Sequence, residues 1–564
     1  MLAIFAIFNF LIITTAMLRR TTAFIAAMAA NALAADACTS LLAGRAATAD
    51  SCVMITYAAD SHSLYGELYN QPAADHPRGA MRKVVEWDTG KHLGEIPEVA
   101  HTYATIGNMN EHGLSISEST WGGREELADS TGVIDYGSLI YIALQRARTA
   151  REAIKVMTDL VRDHGYYSEG ESFSIADGKE AWIMEMIGKG GKERGAVWVA
   201  RRVPDDCIAG HANHSRIHQF PLNDPENCLY SPDVITFARK MGYFDGKDSD
   251  FSFSRAYAVT DFSALRGCDA RVWSFYNRYR SDMDRYLPWV MRGEGEPLPL
   301  WVKPERKLSV RDMQEAMRDH FEDTPFDMTR DPGAGPYKVP YRWRPMTFTV
   351  DSVEYTNERA IATQQTAFTF VAQMRDHVPA PMKGVLWFGT DDTNTTLYVP
   401  IYCCVTTPPR AFEPGNGDLY NISWDSSFWV NNFVANQAYN RYSQMIPDIR
   451  RVQRELEDGF AAGVAEIEPW ATALCQSGEQ EKAVKMLNDF SHRMADSSTA
   501  RYKQLGDYLL VKYLDGNIKR EKDGEFQRTS TGLPASPIFG GYSDDYYRAI
   551  ARETGDRLKV TKID

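Results

Sequence analysis

The sequence predicts an α+β fold, with sheets and helices in layers, followed by a mostly helical C-terminal region. Two observations carry this reading. Strand patterns come first, two adjacent helix patterns follow, and strands then return, an order that a regular βαβ array does not produce. After Phe428 helices are expected to dominate, over about 427–446, 448–475, 479–495 and 498–514.

The elements follow in chain order. Cys52 to Tyr57 is apolar and β-branched, as in a buried strand, and runs into Ala58-Ala59-Asp60-Ser61-His62. Val99 to Ile106 leads through a turn at Gly107-Asn108-Met109-Asn110-Glu111-His112-Gly113 to a return strand over Leu114 to Thr120. Trp121-Gly122-Gly123-Arg124 follows as a loop, which serves equally well as a structural turn or a substrate loop. Helices are expected over 138–147 and 150–162, with Gly165 as the stop. Ser172 to Ala176 and Ala181 to Met186 flank Asp177-Gly178-Lys179-Glu180 as a hairpin. Strands over 197–203 and 207–209 end at Gly210-His211-Ala212-Asn213-His214-Ser215-Arg216. Ser231-Pro232 is expected to open a helix with proline in its first position. Ser309 with Asp312 opens another as a capping box. Pro332, Pro336, Pro340 and Pro345 mark a boundary, beyond which 347–353, 360–373 and 385–404 are expected as strands. The division is therefore a leader over 1–37, a core over 38–345, further strands over 346–430 completing the same domain, and a helical region over 431–564.

Composition narrows the function. The 564 residues are 44% hydrophobic and 12% aromatic, enough for a sizeable core and too apolar for a disordered chain. A formal charge of −13 argues against a nucleic-acid or anionic-membrane partner. Eight cysteines stand at 38, 52, 207, 228, 268, 403, 404 and 475 with no C-x-x-C pair, so neither a zinc ribbon nor a redox dithiol is indicated. Two apolar runs, Leu2 to Met17 and Thr21 to Ala35, are split by Arg19-Arg20, and neither reaches the roughly 20 residues of a spanning helix. Read from Met17, the basic pair, the apolar stretch and the small residues Ala35 and Ala37 make an orderly signal peptide. A secretory route is expected, to a secreted or endolysosomal site, or to the periplasm or exterior of a bacterium, with no stable membrane anchor after processing. In a eukaryote, Asn394-Thr395-Thr396 and Asn421-Ile422-Ser423 would be glycosylation acceptors.

Chemistry-bearing motifs are few. His211, His214 and His218 have the spacing H-x-x-H-x-x-x-H, which on a helix would align three imidazoles for a metal ion. They follow a strand and a glycine, so loop or core histidines are expected instead, and a metal-dependent peptidase is the alternative function. No G-x-S-x-G elbow, Walker loop or dinucleotide fingerprint occurs in a suitable context, and no cofactor is expected. Cleavage after Ala37 would leave Cys38 with a free α-amine. A soft nucleophile and a base of pKa about 7.7–8.0 would then share one residue.

Cys38-Thr39-Ser40 behind a removable leader, then Ser61-His62-Ser63-Leu64-Tyr65-Gly66-Glu67-Leu68-Tyr69, resembles the cysteine dipeptidase family related to secernins, among the N-terminal-nucleophile hydrolases. The likeness continues through Glu86-Trp87-Asp88-Thr89-Gly90, Asn110-Glu111-His112-Gly113-Leu114, Glu118-Ser119-Thr120-Trp121-Gly122-Gly123-Arg124, Thr363-Gln364-Gln365-Thr366 and Trp424-Asp425-Ser426-Ser427-Phe428-Trp429. The resemblance implies a four-layer αββα sandwich, hydrolysis of dipeptides with broad side-chain tolerance, and Cys38 as nucleophile with its own α-amine as base. More distant relatives that cleave bile salts or penicillin V carry an aspartate shortly after the cysteine, matched here by Asp60. They carry an arginine three residues before it, where this chain has Tyr57, so a thiolate-stabilising cation is missing or comes from elsewhere. Counting on from Asn-Glu-x-Gly-Leu places Thr120 at an oxyanion position that is asparagine in those relatives. Asn213 corresponds to a second asparagine and Arg271 to a late arginine of the site. Tyr57, Thr120 and Trp121 are thus implied on the substrate side, and Cys38, Asp60, Asn213 and Arg271 in catalysis. Small peptides are the expected partners, self-assembly stays open, and a non-catalytic secernin-like secretory protein is a further alternative.

Overall fold

The computed structural model describes residues 38–191 and 193–561, so the expected leader and its cleavage site lie outside the described residues. Fifteen strands form two antiparallel sheets, and helices pack against them, an α+β arrangement. In chain order the strands are β1 (Ser40–Ala43), β2 (Val53–Asp60), β3 (Asn70–Gln71), β4 (Thr105–Ile106), β5 (Met109–Asn110), β6 (Ser115–Gly122), β7 (Gly170–Ala176) and β8 (Ala181–Gly188). They continue as β9 (Ala196–Arg202), β10 (Ile208–His211), β11 (Cys228–Tyr230), β12 (Trp301–Val302), β13 (Thr366–Met374), β14 (Gly384–Thr390) and β15 (Val399–Tyr402). One sheet has the order β12-β10-β1-β2-β13-β14-β15 and the other β11-β9-β8-β7-β6-β5-β4-β3.

Side-chain alternation sorts the faces of the second sheet. Leu114, Ile116, Phe173, Ile175, Trp182 and Met184 pack with helices α1 (Tyr136–Arg146) and α2 (Ala150–His164) in one apolar core. On β6 and β7 the alternate positions are serines, several of which turn to the first sheet. Ser40 Oγ donates to Ser117 Oγ at 3.2 Å, and the His211 imidazole joins Ser119 Oγ (2.7 Å) to Ser174 Oγ (2.8 Å). The first sheet is backed by α3 (Ala270–Tyr279) against β10, by α4 (Val310–Met317) against β2 and β13, and by later helices against β14 and β15. Those are α5 (Ser427–Asn440), α6 (Tyr442–Gln476) and α7 (Gln480–Lys512).

The expected hairpin around Asp177-Gly178 forms, Gly165 ends α2 at φ 80°, and Ser309 with Asp312 makes a reciprocal capping box. Several boundaries differ. Pro232 is not the first residue of a helix: Ser231 exchanges hydrogen bonds with Trp198 on β9, the chain turns, and the helix starts at Val234. The expected strand 347–353 is a hairpin, Thr347–Val350 with Val353–Thr356, because Asp351 and Ser352 both take positive φ (48° and 66°) in a two-residue turn. Residues 360–365 precede β13 and are not strand. The expected strand 385–404 breaks at a buried polar loop where Asp392 accepts from the Asn394 amide at 2.9 Å. Two expected helices are one, α7. The chain runs on through the expected gap at 496–497, where the hydroxyls of Ser497, Ser498 and Thr499 donate to the carbonyls of Met494 and Ala495, one turn earlier. The C-terminal region is less helical than expected, since 517–543 holds only a short hairpin before a final helix, Asp544–Thr554.

Asn394 is fully buried and donates to the hydroxyls of Tyr341 (3.0 Å) and Tyr442 (2.9 Å), so it is no surface glycosylation site, whereas Asn421 is exposed. All eight cysteines are free thiols. Among the described residues no helix is long and apolar enough to cross a membrane.

Candidate active site

Cys38 stands two residues before β1, a strand in the middle of the first sheet. The Thr39–Ala58 bridge aligns it beside the end of β2, so the sulfur comes to lie against Tyr57 and Asp60. Its carbonyl accepts from Arg271 at 2.7 Å, and the same nitrogen of Arg271 donates to Thr39 Oγ1 at 2.7 Å. The other guanidinium nitrogen donates to Asn213 Oδ1 at 2.9 Å and to the Ala212 carbonyl at 3.1 Å. One buried arginine of α3 thereby ties Cys38 and Asn213 together. Burial, with Arg359 next, pulls its guanidinium down to about 10.

The Cys38 thiol is buried, with Sγ 3.5 Å from the Tyr57 hydroxyl. Burial pushes the thiol well up, and the Glu118 and Asp60 carboxylates push it further. The Tyr57 hydroxyl and the Asp60 backbone N–H pull it back. No cation is among the larger influences on the sulfur. At neutral pH the group is therefore a thiol that needs a proton acceptor.

Asp60 has no exposed surface. It pairs with Arg359 and accepts from Thr366 Oγ1 at 2.6 Å. Burial pushes its carboxyl up, but the bonded guanidinium, the hydroxyl and nearby Arg271 favour the charged form, and the paired carboxylate is the state we assign. A guanidinium does stand beside this aspartate, then, although Tyr57 occupies the position where the resemblance led one to look for it.

Asn213 has φ 57°, a left-handed conformation that asparagine tolerates better than most residues. Its loop is held by the histidines that could have suggested a metal. His211 uses both ring nitrogens on serines, and burial keeps it neutral with a pKa of about 3. His214 bonds Asp269 at 2.9 Å, and His218 bonds Ser252 at 3.2 Å. The three rings face separate partners, and among the described residues no three His, Cys, Asp or Glu side chains could hold a metal ion. The three histidines named for the metal-dependent alternative thus share no centre among the described residues. Glu185 completes the scaffold by accepting from Ser215 Oγ and from the Arg216 and Ile217 amides.

The three residues expected on the substrate side have these surroundings. Tyr57 is a buried neighbour of the thiol, and its hydroxyl donates to Glu118. Thr120 donates its hydroxyl to Glu171 at 2.9 Å, so that hydrogen is already engaged. Its carbonyl instead accepts from Asn213 Nδ2 at 2.6 Å. Trp121 is the extra residue of a β-bulge between Thr120 and Gly122, half-buried against Phe253. Glycine is needed opposite it: a Cβ on Gly170 would lie 2.4 Å from the indole. Gly170→Ala should move the ring and destabilise the fold by about 1–3 kcal/mol, read by thermal unfolding and tryptophan emission. An unchanged emission spectrum and melting temperature would contradict this packing.

A sequence profile described as peptidase family C69 matches residues 37–455. The chain belongs to peptidase family C69. It is 26% identical over 404 residues to a probable dipeptidase of Salmonella dublin, covering 67% of this chain and 83% of that one. A probable dipeptidase of Latilactobacillus sakei is 26% identical over 412 residues, 69% and 79% of the two chains. Dipeptidase A of Lactobacillus helveticus is 24% identical over 388 residues, 68% and 70%.

Within this C69 chain, sequence reasoning did not single out Glu118, Glu171, Arg359 or Thr366. Glu118 and Thr366 lie inside motifs that carried the resemblance, yet nothing in a linear pattern says that a glutamate on β6 meets a tyrosine on β2. Arg359 precedes β13 by several residues and is brought to Asp60 by the pairing of β13 with β2.

Proposed function

We propose that the chain is a dipeptidase of broad side-chain tolerance whose nucleophile is the Cys38 thiol, with the α-amine exposed by removal of residues 1–37 as general base. The supporting observation is the clamp on Cys38: Arg271 fixes its carbonyl, Asp60 offers a backbone N–H to its sulfur, and no cation is among the larger influences on the thiol. A base carried by the nucleophilic residue itself answers the thiol's need for a proton acceptor. The dipeptidase names of the relatives point to the same substrate class. In this reading the sulfur attacks the scissile carbonyl, the Asn213 amide is the candidate donor to the oxyanion, and the ammonium protonates the departing amine. Water then hydrolyses the thioester. Removing one such oxyanion donor typically costs about 2.7–4 kcal/mol.

The fold is read as the four-layer αββα sandwich of N-terminal-nucleophile hydrolases. Two facing antiparallel sheets, with α1 and α2 packed on one and α3 and α4 on the other, support it. The enzyme is placed on a secretory route, free of a lasting membrane anchor, with small peptides as its partners. Comparing a chain that begins at Cys38 with one carrying any residue or acetyl group ahead of it tests the mechanism. Intact mass defines each terminus, and release of free amino acids from a dipeptide panel gives the rate. Activity confined to the open terminus is expected. A blocked form that works as well would remove the α-amine from the mechanism.

A further inference from the structure

Thr363-Gln364-Gln365-Thr366 meets the site through Thr366, whose hydroxyl donates to Asp60, and its two glutamines hold the preceding segment 342–344. Gln364 Nε2 donates to the Arg342 carbonyl at 2.9 Å. Gln365 Oε1 accepts from Arg344 Nε at 3.1 Å and from Arg344 Nη2. Gln365 is itself fixed to the end of β2. Its carbonyl accepts from the Ser61 amide at 3.0 Å, and its Nε2 donates to the Asp60 carbonyl at 3.5 Å. Asp60 is the residue whose backbone N–H reaches the Cys38 sulfur. One side-chain amide thus stands between the Arg344 guanidinium and the residue that touches the nucleophile.

Arg344 is half-buried in a small cleft that it shares with Met328, Arg342, Glu358, Arg359 and Thr363. The other charged groups there are matched. Arg342 pairs with Asp331 at 2.7 Å, Arg359 with Asp60, and Glu358 with Arg266. Arg344 has the neutral Gln365 amide and, among the described residues, no carboxylate within ion-pair distance. It is the unmatched charge of the cleft. Burial, then the Arg359 charge, pulls its guanidinium below the ordinary value, a strain that an arriving anion relieves. Gln365 takes the Nε–Nη2 edge, which leaves the Nη1–Nη2 end, two N–H groups side by side, in the geometry that suits a carboxylate. The free space in the cleft, about 20 Å³, holds a small polar head and not a side chain.

The distance to the thiol fits a short substrate. Thr39 faces Ala58 on β2, and Asp60 faces Thr366 on β13. The main chain at Gln365 therefore lies two strand spacings, about 10 Å, from that of Cys38. A dipeptide asks for the same span. The residue beyond its scissile carbonyl covers about 3.5 Å, and a contact of roughly 3 Å is added at each end.

We propose that Arg344 binds the free α-carboxylate of the dipeptide, on the leaving-amine side, and so confines cleavage to substrates that end one residue past the scissile bond. This rests on the dipeptidase reading above and leaves its nucleophile and its base unchanged. A longer peptide brings a neutral amide to the guanidinium in place of a carboxylate, and the cleft has no room for the residue that follows. Arg344 touches the end of the substrate and not the reacting atoms, so its part is in selection.

Alanyl-alanine and its C-terminal amide, given to the chain beginning at Cys38, make the test. The unaltered chain should prefer the free acid. Arg344→Met should lower kcat/KM for the acid by about 10- to 100-fold, the range of a hydrogen bond to a charged group. The loss should appear in KM with kcat kept, because the anchor acts alike on bound substrate and transition state. Cleavage of the amide should be almost indifferent to the change. Arg344→Lys should keep part of the preference for the acid. Gln365→Glu should abolish it from the other side, by giving the guanidinium a carboxylate of its own. A purely structural role would lower acid and amide together, and that outcome, or an acid-to-amide ratio unmoved in both Arg344→Met and Gln365→Glu, overturns the anchor. Dependence on Arg344 for alanyl-aspartic amide but not for alanyl-alanine assigns the cation to a side-chain carboxylate and overturns it equally. Should the unaltered chain cleave neither compound, the dipeptidase reading fails. Calorimetric titration of the same two compounds into the unaltered chain and Arg344→Met then decides the anchor by itself: tighter binding of the acid, lost in the variant, upholds it, and equal binding overturns it.

Discussion

Cys38→Ala is expected to abolish dipeptide hydrolysis while leaving the fold intact. The thiol forms no strand hydrogen bond, and the main-chain clamp from Arg271 to the Cys38 carbonyl does not depend on the side chain. Loss of a nucleophile costs on the order of 10⁴–10⁶-fold in turnover in enzymes of comparable design, so the residual rate should sit at background. Cys38→Ser should fall between the two, because a hydroxyl keeps the geometry but gives up its proton far less readily. Unfolding midpoints should match the unaltered chain within about 1 kcal/mol. Retained hydrolysis in the alanine variant would remove this residue from the chemistry altogether, whatever its neighbours do.

Arg359→Met should give the largest loss of stability among single changes near the site. Asp60 has no exposed surface and Arg359 only 7%, so removing the guanidinium strands a carboxylate away from water. Breaking a buried pair from one side typically costs about 3–5 kcal/mol, much of it the penalty of the orphaned charge. The double variant Arg359→Met with Asp60→Asn should recover part of that loss, since no charge remains to be stranded. Urea unfolding of the two variants makes the comparison. A single variant within 1 kcal/mol of the unaltered chain would mean that water or another cation reaches Asp60.

Much of the β-rich half was legible because alternation and turn chemistry are local. The Asp177-Gly178 hairpin, the capping box at Ser309 and the Gly165 stop each follow from a few adjacent residues. Errors fell where tertiary partners override local preference. Asp351-Ser352 makes a hairpin turn without the usual glycine or asparagine. The gap expected at 496–497 is closed, and the hydroxyls at 497–499 bond back into α7. At the site, Cys38, Asp60, Asn213 and Arg271 were reachable through motifs, and Arg271 does link Cys38 to Asn213. Glu118, Glu171 and Arg359 were not, because their significance lies in cross-strand proximity. The H-x-x-H-x-x-x-H spacing shows the converse, a pattern with no shared centre behind it.

The hydroxyls and imidazole between the two sheets have a mechanical consequence. Aliphatic side chains packed face to face allow neighbouring layers to slide by fractions of an ångström at little cost. Ser40 with Ser117, and His211 between Ser119 and Ser174, are directional contacts that work like dowels through two boards. Ser40 is two residues beyond Cys38, and Ser117 and Ser119 flank Glu118. The pins therefore sit beside the place where the Cys38 sulfur, the Tyr57 hydroxyl and the Glu118 carboxyl meet.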